Sequence, residues 1–190
     1  MSINLLETVQ QTLNYQPLQK VDPNTQEVKI DNKTPSEERF SQATIPAAII
    51  ALYQFSTTKD GAATIIQNNE NTDWPEIIFY DRKEEFFEKI ASYSYDNVYN
   101  CVPRIQEVFV TAVAAIKQHA SEGTEEGVKK LLADQRNLVL PYLPAEIQIG
   151  TLLNDDSIDD RTHKMEGPMS NLMHAIGNIF SSSDEVKPVK

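Results

Sequence analysis

The chain has 190 residues, 40% hydrophobic and 24% charged. That suits one domain, or one domain with an appendage, large enough to build a core without disulfides or a structural metal. Its 28 acidic residues against 17 basic ones leave a net charge of −11, which repels a phosphate backbone and excludes nucleic acid as an expected partner. The densest basic group, Lys129 and Lys130 with Arg136, sits among Glu125, Glu126 and Asp134 and does not reverse that expectation. The lone cysteine, Cys101, rules out an intrachain disulfide and fits a reducing compartment. The first residues carry no basic stretch ahead of a long apolar run. No run approaches the ~18 apolar residues of a membrane span. The expected location is the cytoplasm.

Residues 3 to 14 place Ile3, Leu6, Val9 and Leu13 on one helical stripe, with Pro17 ending it. Residues 16 to 33 are polar and read as a loop or a loosely packed arm. Thr34-Pro35-Ser36-Glu37 is a helix-start signature, with Thr34 as the expected N-cap and Pro35 at the first helical position. The helix it opens presents Phe40, Ala43, Ala47, Ile50 and Phe55, and Pro46 predicts a kink or a break. A short helix follows from Thr58 to about Asn68. Asp73-Trp74-Pro75-Glu76 repeats the capping logic. Ile77 to Tyr80 alone could pass for a strand, whereas the segment from Arg82 to Ile90 is helical in propensity.

The clearest helix covers roughly 98 to 119. Val98, Cys101, Val102, Ile105, Val108, Phe109, Ala112, Val113 and Ile116 form its apolar stripe, and Pro103 sets its regular start near 102. Gly123 closes it, and Thr124 caps the next helix, which runs to about Tyr142. A short helix is expected over 145 to 153, an acidic linker over 154 to 167, a final helix from Gly167-Pro168 to Phe180, and a disordered tail over 181 to 190. Thr58-Lys59-Asp60-Gly61 with Ile65-Ile66 echoes Thr124-Glu125-Glu126-Gly127 with Leu131-Leu132 at an offset of 66 residues. Capping alone does not explain the two glycines, since alanine is the better helix former. A two-fold internal repeat is one reading of the echo; chance similarity of two helix starts is the other.

Ala43-Thr44-Ile45-Pro46-Ala47-Ala48-Ile49-Ile50-Ala51-Leu52, then Asp60-Gly61-Ala62-Ala63 and Lys89-Ile90-Ala91-Ser92-Tyr93, resembles the YidB-like bacterial proteins over residues 35 to 120. The resemblance implies a bacterial, helical protein of uncharacterised activity. It carries over no catalytic residue.

Candidates for chemistry are few. Cys101 lies on an apolar stripe, where a small core residue is expected. His119, His163 and His174 are scattered, and no nucleophile elbow, phosphate-cradling glycine loop or zinc spacing occurs. In the acidic linker, Asp155, Ser157, Asp159 and Glu166 occupy oxygen-ligand positions of a calcium loop. Asp160, however, stands where the sharp turn wants glycine, so a solvated turn is expected rather than a metal site. The last helix lines up Met169, Leu172, Met173, Ile176, Ile179 and Phe180 on one face. That face is expected to dock on its own domain, with a protein partner or self-association as the alternative.

These readings predict an all-α fold, an irregular bundle of about seven helices. Its parts are an N-terminal helix and polar arm (1–33), a helical core (34–153), the acidic linker (154–167) and the C-terminal amphipathic helix (168–180). No cofactor is expected. The expected function is a non-enzymatic interaction or scaffold module. The alternative is a helical binder of a small apolar ligand, and an unrecognised enzyme stands third.

Overall fold

A computed structural model describes residues 3–29, 31, 33–67, 71–155 and 158–159. They are all-α, with no strand among them. The helices are α1 (Leu5–Thr12), α2 (Ser36–Thr57), α3 (Gly61–Gln67), α4 (Trp74–Phe79), α5 (Lys83–Ser94), α6 (Val98–His119), α7 (Glu125–Val139) and the single turn α8 (Ile149–Leu152). Short 3-10 turns join several of them. None is long and apolar enough to cross a membrane.

The centre of the bundle is α2. Phe40, Ala43, Ile45, Ala47, Ala48, Ile49, Ile50, Ala51 and Leu52 are all essentially inaccessible to solvent. A helix apolar all round must be surrounded, and α1, α3, α5, α6 and α7 pack about this one. The expected single stripe was therefore too narrow. The helix also runs through the buried Pro46 without a break. Proline in a helix interior costs about 3 kcal/mol, which burial of two or three large side chains at roughly 1.5–3 kcal/mol each offsets.

The expected Thr34 cap does not form. The Thr34 hydroxyl faces back into a turn, donating to Asp31 Oδ1 at 3.4 Å and accepting the Asp31 N–H at 3.3 Å. Asp31 also accepts the Lys33 N–H at 2.7 Å. Arg39 donates to the Asp31 and Thr34 carbonyls at 2.6 and 3.1 Å. This local network outcompetes the helix for the hydroxyl. Pro35 takes the cap position, and no side chain bonds the first turn. Four other side-chain caps do form: Asn4 on α1, Asp73 on α4, Asn97 on α6 and Thr124 on α7, those at Asp73 and Thr124 as the sequence predicts.

The region from Ile77 to Tyr80 is helical, not a strand. It delivers Phe79 into an aromatic cluster, stacked on Phe86 at 4.3 Å, with Phe109 edge-on to both at 6.3 and 6.2 Å. The polar arm after α1 is firmly held. Val21 N–H donates to Pro141 O at 2.8 Å, and Ala145 N–H to Gln26 O at 3.0 Å. The buried Gln42 amide clasps Gln19 O and Tyr142 O at 2.9 and 2.7 Å. Likewise the buried Gln135 accepts the Leu5 N–H and donates to Ile3 O, both at 2.9 Å, fastening α1 to α7.

The echo at Thr58 and Thr124 has a local geometric basis. Each hydroxyl donates to the carbonyl three residues back, Thr58 to Phe55 at 2.8 Å and Thr124 to Ser121 at 3.2 Å. The same carbonyl then presses on the glycine three residues ahead. A Cβ on Gly61 would collide with Phe55 O, and one on Gly127 with Ser121 O. The glycines thus admit the turn that enters their own helix, rather than a neighbouring helix. The two junctions differ in register. Gly127 N–H donates to Thr124 Oγ1 at 3.1 Å, whereas α3 begins with the bond from Thr64 N–H to Asp60 O at 2.9 Å.

Candidate functional site

A groove of about 520 Å³ opens between the start of α4, the start of α5 and the first turns of α6. Asp73 Oδ1 accepts the Glu76 N–H at 3.0 Å, which fixes the start of α4 and the place of Pro75. Asn97 Oδ1 accepts the Tyr99 N–H at 2.9 Å and starts α6 at Val98. That start is four residues earlier than Pro103 suggested. The correction has a simple cause: proline at the sixth helical position removes only one N–H, the one that would reach Tyr99 O. Because the helix begins early, Tyr99, Val102, Pro103 and Gln106 lie on one face at helical spacing and line the groove.

The floor is apolar: Pro75, Phe87, Val98, Val102 and Pro103. Phe87 is nearly buried, while Tyr99 stands 87% exposed at the edge. Lys83 Nζ reaches across the rim to Glu76 Oε2 at 2.6 Å and Asp73 Oδ2 at 3.6 Å. The Glu76 hydrogen bond, helped by the nearby Asp73 and Glu84 charges and opposed by desolvation, raises the Lys83 pKa above its ordinary value. Three carboxylates (Asp73, Glu76, Glu84) thus stand around one ammonium, and the rim is net negative. On the α6 wall, Gln106 donates through Nε2 to Thr72 O, and its Oε1 is buried with no hydrogen-bond partner among the described residues. A buried acceptor left unsatisfied costs about 1–3 kcal/mol.

The residues singled out from sequence lie elsewhere. Asp159 is a capping carboxylate: it accepts the Gly150 and Thr151 N–H groups at 3.0 and 2.8 Å, and Thr151 Oγ1 at 3.3 Å. Those three bonds occupy most of the acceptor sites of the carboxylate. Asp155 sits in the same turn, its N–H on Gly150 O at 2.8 Å. Glu166 lies outside the described residues, as do Met169, Leu172, Met173, Ile176 and Phe180. Among the described residues no group of three His, Cys, Asp or Glu side chains is placed to hold a metal. Cys101 is fully buried with its Sγ 3.8 Å from Ser94 Oγ, and burial pushes the thiol pKa up. His119 falls in the last turn of α6, where its position at the C-terminus was expected.

The apolar stripe that the sequence predicts for α6 counts Val98 and Val102 as core and so hides the groove. Both are only partly buried. A second period, Tyr99, Val102, Pro103 and Gln106, runs beside the core stripe and was the available signal. No family model matches this chain, and no curated protein and no solved structure matches it either.

Proposed function

We propose that this protein is a non-enzymatic interaction module whose α4–α6 groove receives an apolar segment with basic flanks. One observation carries the reading: an open apolar floor of this size, bordered by a net negative rim, on a chain of net charge −11. Apolar side chains of a partner helix or strand would be desolvated on Phe87 and Val102, and flanking Lys or Arg would meet Asp73, Glu76 and Glu84. The buried Gln106 carbonyl offers a hydrogen bond to a donor brought in by the occupant. The YidB-like resemblance supports a bacterial setting, and the cytoplasm is the compartment we assign to it. A second reading, a small apolar ligand, draws support from the volume, which exceeds the ~300 Å³ of the smaller ligand sites.

The test is a titration with a designed amphipathic Leu/Lys peptide and its Leu/Glu counterpart, against the native protein and Val102→Asp. Groove binding predicts saturable binding of the Leu/Lys peptide alone and its loss in Val102→Asp. Adding a negative charge would strengthen mere electrostatic adhesion, so a variant that binds as well as the native protein overturns the groove. Saturable uptake of the neutral dye Nile red without peptide binding would transfer the conclusion to the small-ligand reading.

A further inference from the structure

We infer that the occupant of the α4–α6 groove is an amphipathic helix of a protein partner, seated with its N-terminal end at Asp73 and a lysine or arginine just ahead of its first turn. The inference rests on the reading of the groove as a docking site and names the form and direction of what docks there.

The walls select a helix. There is no strand among the described residues, so no sheet edge stands at the groove for an extended segment to join. The long walls are α5 and the first turns of α6, whose backbone groups are largely spent within their own turns. The polar side chains there are engaged too. Lys83 is held by Glu76 and Asp73 at 2.6 and 3.6 Å, and Gln106 donates to Thr72 O. An extended occupant would press a row of its own N–H and C=O groups against Phe87, Val98 and Val102 without partners, which is costly. A helix satisfies those groups internally and presents side chains alone. The surface also has the relief that a helix packs into. Lys83 and Phe87 on α5, and Val98, Val102 and Gln106 on α6, stand four residues apart along two ridges. From Val98 to Gln106 α6 rises about 12 Å, room for roughly two turns of an occupant with anchors at i, i+4 and i+7.

The ends of the groove are unlike, and this sets the direction. The bond from Gln106 to Thr72 O places Asp73 at the Gln106 end, with Lys83 and Glu76 beside it. Three carboxylates (Asp73, Glu76 and Glu84) gather there around one ammonium. The partial positive charge of a helix N-terminus, and a cation ahead of it, are complementary to that end. The other end holds the start of α6 at Val98 and Tyr99, where Asp96 is paired with Arg104 at 3.4 Å. The dipole of α6 favours there the carbonyls of the occupant's last turn.

The test uses three end-blocked peptides of one Leu, Ala and Lys composition, followed by backbone amide shifts of the full chain in NMR. The first has Leu at i, i+4 and i+7 with two Lys ahead of the first Leu. The second moves the Lys pair behind the last Leu. The third keeps the leading Lys pair and alternates Leu with Ala. The first should shift Lys83, Phe87 and Val102 saturably. The second should bind about threefold more weakly, and the third at least about tenfold more weakly. Tyr99→Ala removes a side chain that is 87% exposed, so the variant should keep its melting temperature and still weaken the first peptide about fivefold or more. Equal or tighter binding of the alternating peptide, or equal binding of the first two, overturns the inference and leaves the groove a docking site. Full affinity in Tyr99→Ala places the peptide elsewhere and overturns it as well. Absence of saturable binding by all three removes the docking site itself.

Discussion

The two longest helices are alike in sequence and opposite in fate. Both α2 and α6 span 22 residues, and both carry an internal proline. In α2 the run from Ala43 to Leu52 has no charged residue, and all ten positions are buried, Pro46 included. In α6 the apolar positions keep to one stripe. Val98 and Val102 are half-buried, Pro103 is exposed, and the space beside them is the groove. The cation of Arg104 links the two helices, lying 3.9 Å from the Phe40 ring centre and 3.4 Å from Asp96 Oδ2. The contrast teaches that apolar content alone does not decide burial. An unbroken apolar run leaves no face for water, whereas a stripe with a partly apolar flank leaves a ledge.

The largest effect should come from truncating the centre of α2. Ile49→Ala is expected to cost about 2–5 kcal/mol, the range for a large buried aliphatic. Val102→Ala in the groove should cost under about 1 kcal/mol, because its surroundings are already open. Equal losses by urea denaturation would mean that the ledge on α6 is as closed as the core.

The exits of the two helices are sharper still. Gly61→Ala and Gly127→Ala would each ordinarily gain up to ~1 kcal/mol of helix propensity. Here each methyl meets a backbone carbonyl, of Phe55 or Ser121. Both variants should instead lose about 1–3 kcal/mol, as overpacked sites do. A raised melting temperature in either would show that its junction opens without cost.

Alkaline pH probes the base of α2, where Arg39 meets Tyr93. Desolvation first, then the Glu27 and Glu146 charges, push the Tyr93 pKa up. The unfolded chain ionises near pH 10, so the folded state binds the phenol proton more tightly. That contribution is complete below pH 10 and is lost as the pH climbs from there toward the raised folded value. One pH unit above 10, the native protein should have lost about 1 kcal/mol more than Tyr93→Phe. Parallel stability curves for the two proteins between pH 8 and 11 would contradict a sealed hydroxyl.

The smallest expected effects are at the helix starts. Asn97 caps α6, and Asn97→Ala should cost about 1 kcal/mol. Thr34 does not cap α2, so Thr34→Ala should cost about 0.5 kcal/mol or less, the scale of an exposed substitution. A larger loss at Thr34 than at Asn97, read from unfolding midpoints, would restore the capping role that its sequence context suggests.

The sequence by itself determined the helical class and several of its joints. Periodicity placed α6 and its buried Cys101, Ile105 and Phe109. Thr124 and Asp73 were legible because a cap needs only a side chain two or three residues from the N–H it serves. The two glycines were marked as anomalous from sequence, though their reason, contact with the preceding turn, needed coordinates. Tertiary structure alone decided the rest. Thr34 lost its cap to Asp31, a competitor that only the folded turn brings near. Asp159 became a cap for Gly150 and Thr151, a bond across nine residues that no ligand spacing encodes. The groove depends on which partly apolar flank the neighbouring helices leave uncovered. That is set by packing among segments distant in the chain, as when Gln106 donates to Thr72 O, and local propensity carries no term for it.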